Sequence, residues 1–405
     1  DMGLGKTFIG SEAMIRFGCR INLIVCQKSK VQDWEEHFGN YSDNKFQDVY
    51  DLTKKKELAE FLEYSKPEYE GNNPIVGVIN YDLIFRRKEL LKLHGFTLML
   101  DESSQIQNMN AKQTKFVMNL KPDHCILLSG TPVGGKYENL LSQLHLLGWD
   151  VSENVFNRTY INWKLVEDGT GTIHKVIDKD DPYKNVQRLK AKMRNHGAVF
   201  KKTEDVLDLP EQLFQEVSVD KTKEYTSFKK NHMVLIDGLE LIGDTSLTRM
   251  LYERQLCGQY NQNKLFAFED LIRSTNERIV VFYNFNEELL RLKQICIDAG
   301  KPISEINGHN KDLEAYENES DSITLVQYQS GSKGLNLQKC RRIIYFTLPL
   351  SSENYEQSKK RIHRIGQENT CFYYILITKG SVEEKILETL NQRKDFTDEL
   401  FEEIN

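Results

Sequence analysis

Gly3, Leu4, Gly5, Lys6 and Thr7, at the head of the chain, are the first residues whose types and spacing do chemistry. Glycines carry no Cβ, so backbone N–H groups can close around a phosphate. A lysine adds a compact positive charge to the β and γ phosphates, and a threonine hydroxyl can ligate Mg²⁺. The apolar residues that follow, Phe8, Ile9, Ala13, Met14 and Phe17, predict a helix whose positive end faces the anion. The stretch reads as a phosphate-binding loop for ATP with its Mg²⁺. A flexible glycine turn beside a lysine has the same letters, so the reading depends on partners downstream.

Two such partners are present. Phe-Thr-Leu-Met-Leu at 96–100 predicts a strand, and it runs straight into Asp101 and Glu102. A carboxylate at a strand end can hold Mg²⁺ through its water shell, and a second acid beside it can orient an attacking water. Asp101 suits the first role and Glu102 the second; an isolated Asp-Glu pair would be a solvated turn. Far along the chain, Arg361 and Arg364 stand three apart within the run from Gln357 to Gln367. That spacing predicts two guanidinium groups on one face of a helix, able to reach a γ-phosphate and stabilise charge on the transferring group. A basic surface helix is the competing reading.

The elements that must position these residues follow from composition and pattern. At 405 residues the chain is long enough for two or three domains. Its hydrophobic content of 39% and charged content of 28% are those of an ordinary globular protein. No apolar run is long enough to span a membrane. The seven cysteines are scattered without metal-ligand or disulfide spacing, which predicts buried thiols in a reducing compartment. A net charge of −6 gives no support to nucleic-acid binding by the chain as a whole, although a local basic cleft remains compatible with it.

Up to about residue 150, short β-branched or apolar runs at 21–26, 75–79, 96–100 and 125–128 alternate with amphipathic segments, predicting an open parallel sheet covered by helices. Ligands of such sheets bind beyond the strand C-terminal ends. From 151 to 200 the pattern loosens into what reads as a solvent-facing insertion, and residues 220–260 read as helical. A second alternating region has strands predicted at 279–283, 323–327, 343–346 and 372–377. An acidic amphipathic helix closes the chain from 382. The boundaries predicted are 1–150 for the first lobe, 151–260 for a helical protrusion and linker with a break near Pro210, 261–380 for the second lobe, and 381–405 for the closing helix.

Taken in order, these motifs resemble a known family. Asp-Met-Gly-Leu-Gly-Lys-Thr at 1–7, Asp101-Glu102-Ser103-Ser104, and Leu127 to Val133 followed by Glu138, Asn139 and Leu140 resemble motifs one, two and three of superfamily-two helicases. Leu23 to Lys28 with Trp34 and Phe38 resembles motif Ia, Val78-Ile79-Asn80-Tyr81 motif Ib, and Gln329 to Leu337 motif five. Arg361-Ile-His-Arg-Ile-Gly-Gln367 resembles the Swi/Snf form of motif six. The resemblance implies an α/β fold of two RecA-like parallel-sheet lobes with a helical insertion between them. It implies ATP and Mg²⁺ as cofactors, with Gly3, Gly5, Lys6, Thr7, Gln357 and Gly334 at the nucleotide and Thr7 and Asp101 at the metal. Lys6, Glu102, Arg361 and Arg364 would be catalytic. Lys28, Asn80, Thr131, Ser330, Lys333 and Asn336 would touch DNA, the partner being duplex DNA together with proteins bound to it.

The departures are specific. Ser104 replaces a histidine or other coupling residue, Gln27 a proline, and Ser332-Lys333 a glycine and an apolar residue; Asn307-Gly308-His309 keeps only a remnant of its motif. The adenine-recognising segment and first strand that the resemblance calls for would lie before Asp1, so residues 1–405 by themselves are expected to hydrolyse ATP weakly or not at all. The expected activity is that of an ATP-driven duplex-DNA translocase, in a compact bacterial or phage protein of the cytoplasm, or of the nucleus if eukaryotic. A strand-separating DNA or RNA helicase uses the same engine. A non-hydrolysing nucleotide-gated DNA clamp is a third reading, against which Glu102, Arg361 and Arg364 together argue; a small-molecule kinase would have no use for a second lobe.

Overall fold

The computed structural model describes residues 4–41, 48–69, 71, 73–328 and 335–401, with side chains as far as Lys394. The predicted apolar runs are strands. β1 (Ile21–Cys26), β2 (Asp48–Asp51), β3 (Ile75–Asn80), β4 (Phe96–Asp101) and β5 (His124–Leu128) form a parallel sheet in the order β2-β3-β1-β4-β5. Every residue of β1 and β3 is buried, as continuous apolar runs require when helices cover both faces.

Parallel neighbours cannot be joined by a tight turn, so helices link them. Helix α1 (Lys6–Phe17) leads into β1 and α2 (Val31–Tyr41) leaves it. Met14, Trp34 and Phe38 from these helices pack on Ile24, Val76, Val78, Met99 and Leu128 of one sheet face. The approach of α1 is close for a definite reason: a Cβ on Gly10 would lie 2.6 Å from Met99 Sδ and 2.8 Å from Leu128 Cδ1. Strand register sets Cys26 beside Asn80 and Asp101 beside Leu128. The segments leaving β1, β3, β4 and β5 therefore emerge from one edge of the sheet.

The chain divides between Val206 and Leu207. Residues 151–260, expected as one helical protrusion and linker, are shared between the two units, and neither share is wholly helical. β6 (Trp163–Glu167) and β7 (Ile173–Ile177) form an antiparallel hairpin in the first unit. In the second unit, β8 (Gln212–Val219) precedes another hairpin made of β9 (Met233–Ile236) and β10 (Leu239–Ile242). There follow β11 (Ile279–Tyr283), β12 (Ile303–Ile306), β13 (Lys311–Asp312), β14 (Ile323–Gln327), β15 (Arg342–Tyr345) and β16 (Cys371–Thr378).

The second sheet has the order β13-β12-β14-β11-β15-β16-β8, parallel except for β13. It begins at β8, upstream of position 261 where the second lobe was expected to open. As an edge strand β8 leaves Leu213 41% and Phe214 49% exposed, so it lacks the unbroken apolar run by which central strands are recognised.

Helix Gln262–Arg273 carries Lys264 to 2.5 and 2.7 Å from the two carboxylate oxygens of Glu383, and Glu383 Oε2 also accepts the Thr378 N–H at 2.9 Å. Both side chains are buried, so each charge depends on the other. Lys264→Met is expected to cost about 3–5 kcal/mol by leaving a buried carboxylate unpaired. Lys264→Met combined with Glu383→Gln, which keeps an acceptor for Thr378, should recover much of that loss in denaturant unfolding.

At the start of β15, Arg341 and Arg342 both bind Glu277 and, with Arg341 the larger influence, hold its carboxyl at about 2 against an ordinary 4.5. A depressed carboxyl pKa contributes stability above the unfolded value and loses it as pH falls through the folded one. Glu277→Gln should flatten the acid side of the stability curve between about 4.5 and 2, measured by thermal unfolding against pH. The effect is modest because the carboxylate is 38% exposed.

Candidate active site

Gly5 caps α1 in the left-handed conformation at φ 70°, which a side chain would strain, and no side chain caps the helix. The first turn carries no acid, so no carboxylate there competes with an anion for its N–H groups. Lys6 and Thr7 are the first two residues of that turn. Gly3 lies outside the described residues.

Asp101 closes β4 on the same face. Trp34 Nε1 donates to Asp101 Oδ2 at 3.0 Å, fixing one carboxylate oxygen. Burial pushes the Asp101 carboxyl up, while the Trp34 hydrogen bond and the charges of Lys6 and Lys30 pull it back toward the ionised form. Glu102 follows at φ 58°, a left-handed backbone rare outside glycine. The Tyr81 hydroxyl donates to the carbonyls of Asp101 at 3.0 Å and Glu102 at 3.3 Å, across that turn. Burial holds the Tyr81 phenol far above its ordinary value, so it stays a donor.

These residues fit a magnesium nucleotide. An uncapped helix start with its glycine suits phosphates, and a carboxylate oriented by Trp34 at a strand end suits a metal or its water.

A relay of amides that the motifs did not announce links this turn to the segment after β5. Ser103 Oγ donates to Gln143 Oε1 at 2.8 Å, and Gln143 Nε2 donates to the Pro132 carbonyl at 2.7 Å. Gln107 Nε2 reaches the same carbonyl at 3.3 Å, and Asn139 Nδ2 bonds Gln107 Oε1 at 3.0 Å and the Val133 carbonyl at 3.2 Å. Gln143 is buried, which is the only clue its sequence position withheld.

In the second unit, helix Ser352–Lys359 ends before the arginines, so they do not share a helix face as their spacing predicted. Tertiary donors take the carbonyls that would have continued the helix: Tyr373 Oη bonds Lys359 O at 3.0 Å, Leu337 N bonds Arg361 O at 3.0 Å, and Gln367 Nε2 bonds Ile362 O at 3.3 Å. The two guanidiniums nonetheless converge: Arg361 Nη1 and Arg364 Nη1 donate to Leu335 O at 3.2 and 3.3 Å. Burial lowers the Arg364 pKa from its ordinary value. His363, its own pKa lowered by burial, bonds Pro210 O at 2.8 Å. Gln357 is buried on the helix, donating to Glu353 at 3.1 Å. Gly334 lies outside the described residues.

Of the residues expected at DNA, Ser330 and Lys333 also lie outside the described residues. Asn336 is exposed and accepts from Arg364. Thr131 is buried, its N–H bonded to Ser129 Oγ at 3.1 Å and its own hydroxyl without a partner among the described residues. Lys28 and Asn80 line a cleft of about 820 Å³ with Gln32, Lys54, Arg86, Glu35, Asp51 and Asp82. Lys54 is engaged by Asp51 and Glu57, which leaves Lys28 and Arg86 as the cations of that cleft without a described ion pair. Among the described residues no group of three acids, histidines or cysteines is placed to hold a metal by itself, and no helix is long and apolar enough to cross a membrane.

Comparison with known proteins decides the family. The SNF2-related domain matches residues 1–262, and the helicase conserved C-terminal domain matches residues 263–366. The chain belongs to the SNF2-related domain family. An ATP-dependent helicase of Bacillus subtilis, YqhH, described as uncharacterized, is 24% identical over 97% of this chain and 74% of its own length. The murine SWI/SNF-related matrix-associated actin-dependent regulator of chromatin subfamily A member 1 is 24% identical over 96% of this chain and 40% of that protein. The ISWI chromatin-remodeling complex ATPase ISW1 of Saccharomyces cerevisiae is 22% identical over 97% of this chain and 37% of that one. The chain thus spans less than half the length of the last two. Among solved structures, the Sulfolobus solfataricus SWI2/SNF2 ATPase core in complex with dsDNA aligns with a TM-score of 0.40 and 19% identity, over 98% of this chain and 86% of that one.

Asp101→Asn keeps the shape and an acceptor for Trp34 while removing the charge. It should leave the thermal midpoint within a few degrees of the parent and abolish the Mg²⁺-dependent part of nucleotide binding, read by calorimetric titration with and without the metal.

Proposed function

We propose that this SNF2-family chain is an ATP-driven motor that moves along double-stranded DNA. The observation that carries the reading is the assembly at one edge of the first sheet, where an uncapped phosphate-facing helix start stands with an oriented carboxylate and a second acid on a constrained turn. The chromatin-associated names of relatives support a duplex substrate and DNA-bound proteins as partners.

In this reading the N–H groups of the first turn of α1 and the Lys6 ammonium bind the β and γ phosphates. Thr7 and Asp101 would hold Mg²⁺, which when bound neutralises phosphate charge and polarises the γ-phosphoryl group. Glu102 orients and deprotonates the attacking water. Arg361 and Arg364 supply positive charge to the transferring group, a contribution worth roughly 10³ to 10⁵ in rate when an arginine does this elsewhere. Gly3, Gly334 and Gln357 complete the nucleotide contacts; Lys28, Asn80, Ser330, Lys333 and Asn336 contact the duplex, while Thr131, whose hydroxyl is buried, supports its loop from within. Translocation then follows from differential affinity, since ATP and ADP favour different arrangements of the DNA-contacting loops.

ATP turnover compared on duplex DNA, single-stranded DNA and RNA at fixed salt, with displacement of a third strand as the readout of movement, tests the proposal. Duplex-stimulated hydrolysis with third-strand displacement is expected. Stimulation by single strands alone would instead identify a strand-separating helicase. Glu102→Gln should bind nucleotide but lose turnover by about 10² or more, as expected for removal of a general base. Hydrolysis at the parental rate by that variant would leave a nucleotide-gated clamp as the better description.

A further inference from the structure

The turn that carries Asp101 and Glu102 accepts hydrogen bonds from two side chains, Trp34 and Tyr81, and both belong to the elements that leave β1 and β3. Trp34 lies in the first turn of α2, four residues beyond Lys30 and directly after the short helix Lys28–Lys30. Its indole is buried, wedged edge-on to His37 and stacked on Phe38, with only Nε1 directed at Asp101 Oδ2. Tyr81 immediately follows Asn80, is equally buried, and spans the carbonyls of Asp101 and Glu102. Lys28 and Asn80 line the same cleft. Asn80 is joined to Tyr81 by a single peptide, and Lys28 opens the short helix that runs directly into the helix of Trp34, so a phosphate seated between those two residues bears on the segments that carry both donors.

We propose that Trp34 and Tyr81 are positioning residues that couple occupancy of the Lys28–Asn80 cleft by a DNA phosphate to the orientation of Asp101 and Glu102. This deepens the motor reading and rests on it. The two side chains act on different parts of the turn. Trp34 sets the rotation of the Asp101 carboxylate, and Tyr81 sets the backbone of a turn whose left-handed Glu102 would otherwise relax. A cation held by Asp101 would pull on the same carboxylate that the indole holds. The coupling therefore runs in both directions, as linkage requires.

The measurement is the duplex dissociation constant of the full chain by fluorescence anisotropy, without nucleotide and with a non-hydrolysable ATP analogue plus Mg²⁺. In the parent the two constants should differ by a factor within the range of about 5 to 150 that is common for coupled sites. Tyr81→Phe, which deletes one oxygen, and Trp34→Phe, which deletes the N–H, should each bring that ratio toward one. Each ligand measured alone should remain within about threefold of the parent, as expected when coupling rather than contact is lost.

Unchanged ratios in both variants would overturn the inference, and so would a joint loss of both affinities with a fallen thermal midpoint, which marks mere structural support. Should Trp34→Phe fail to fold, Tyr81→Phe alone decides. A parent that binds both ligands with a ratio of one refutes the coupling and leaves the motor reading standing; a parent that binds neither ligand removes both.

Discussion

A carboxylate must stand at the mouth of a parallel sheet in one orientation, and the first unit is arranged around that requirement. Desolvation works against the charge of Asp101, so the site needs compensating donors close by. Trp34 supplies one, worth roughly 1.5–3 kcal/mol when the acceptor is charged. The positive charges of Lys6 and Lys30 add to it. The left-handed turn at Glu102 costs about 1–3 kcal/mol and persists because Tyr81 and the Ser103–Gln143 bond hold it from both sides. Close packing of α1 on β4 and β5, set by the missing Cβ of Gly10, fixes the distance from the start of α1 to the Asp101 carboxylate. The start of α1, Asp101 and Glu102 are thus one packed object rather than three motifs.

Much of this was legible in the sequence because the central strands of a doubly covered sheet have to be continuously apolar. The runs at 21–26, 279–283 and 323–327 coincide with β1, β11 and β14. Glycine at position 5 and the acids after the Phe96 run were legible for the same reason, since backbone conformation and strand ends restrict what can stand there. The helix after Thr7 was legible too, but its buried face was not: Gly10, Ser11 and Met14 point inward, while Phe8 and Ile9 are 53% and 59% exposed. Apolar spacing reports a helix more faithfully than it reports which side meets the core.

What stayed hidden was tertiary. Edge strands such as β8 and β2 mix polar and apolar residues because one rim is open, so periodicity passes over them. The β9–β10 hairpin did leave a local signal, Asp237-Gly238 with both residues at positive φ, the dipeptide that tight two-residue hairpin turns require. A reading that followed helical spacing across 220–260 missed it. The Trp34 and Tyr81 bonds span 67 and 20 residues of chain and have no short-range signature at all.

The arginine segment shows why spacing alone misleads about geometry even where it finds the right residues. Three apart implies a shared helix face only if the helix continues, and a helix continues only while its carbonyls are free to accept from four residues on. Here the carbonyls of Lys359, Arg361 and Ile362 are claimed by Tyr373, Leu337 and Gln367. The chain unwinds after Lys359, and the guanidiniums reach a common point by a different route, both meeting Leu335 O. Their placement therefore depends on the segment from Leu335 to Leu337, which receives side-chain bonds from both arginines at Leu335 O and from Arg364 at Asn336, and returns a backbone bond from Leu337 to Arg361 O. Two stretches that look like independent motifs on the page are a single hydrogen-bonded unit, and a shift in either must move the charges carried by the other.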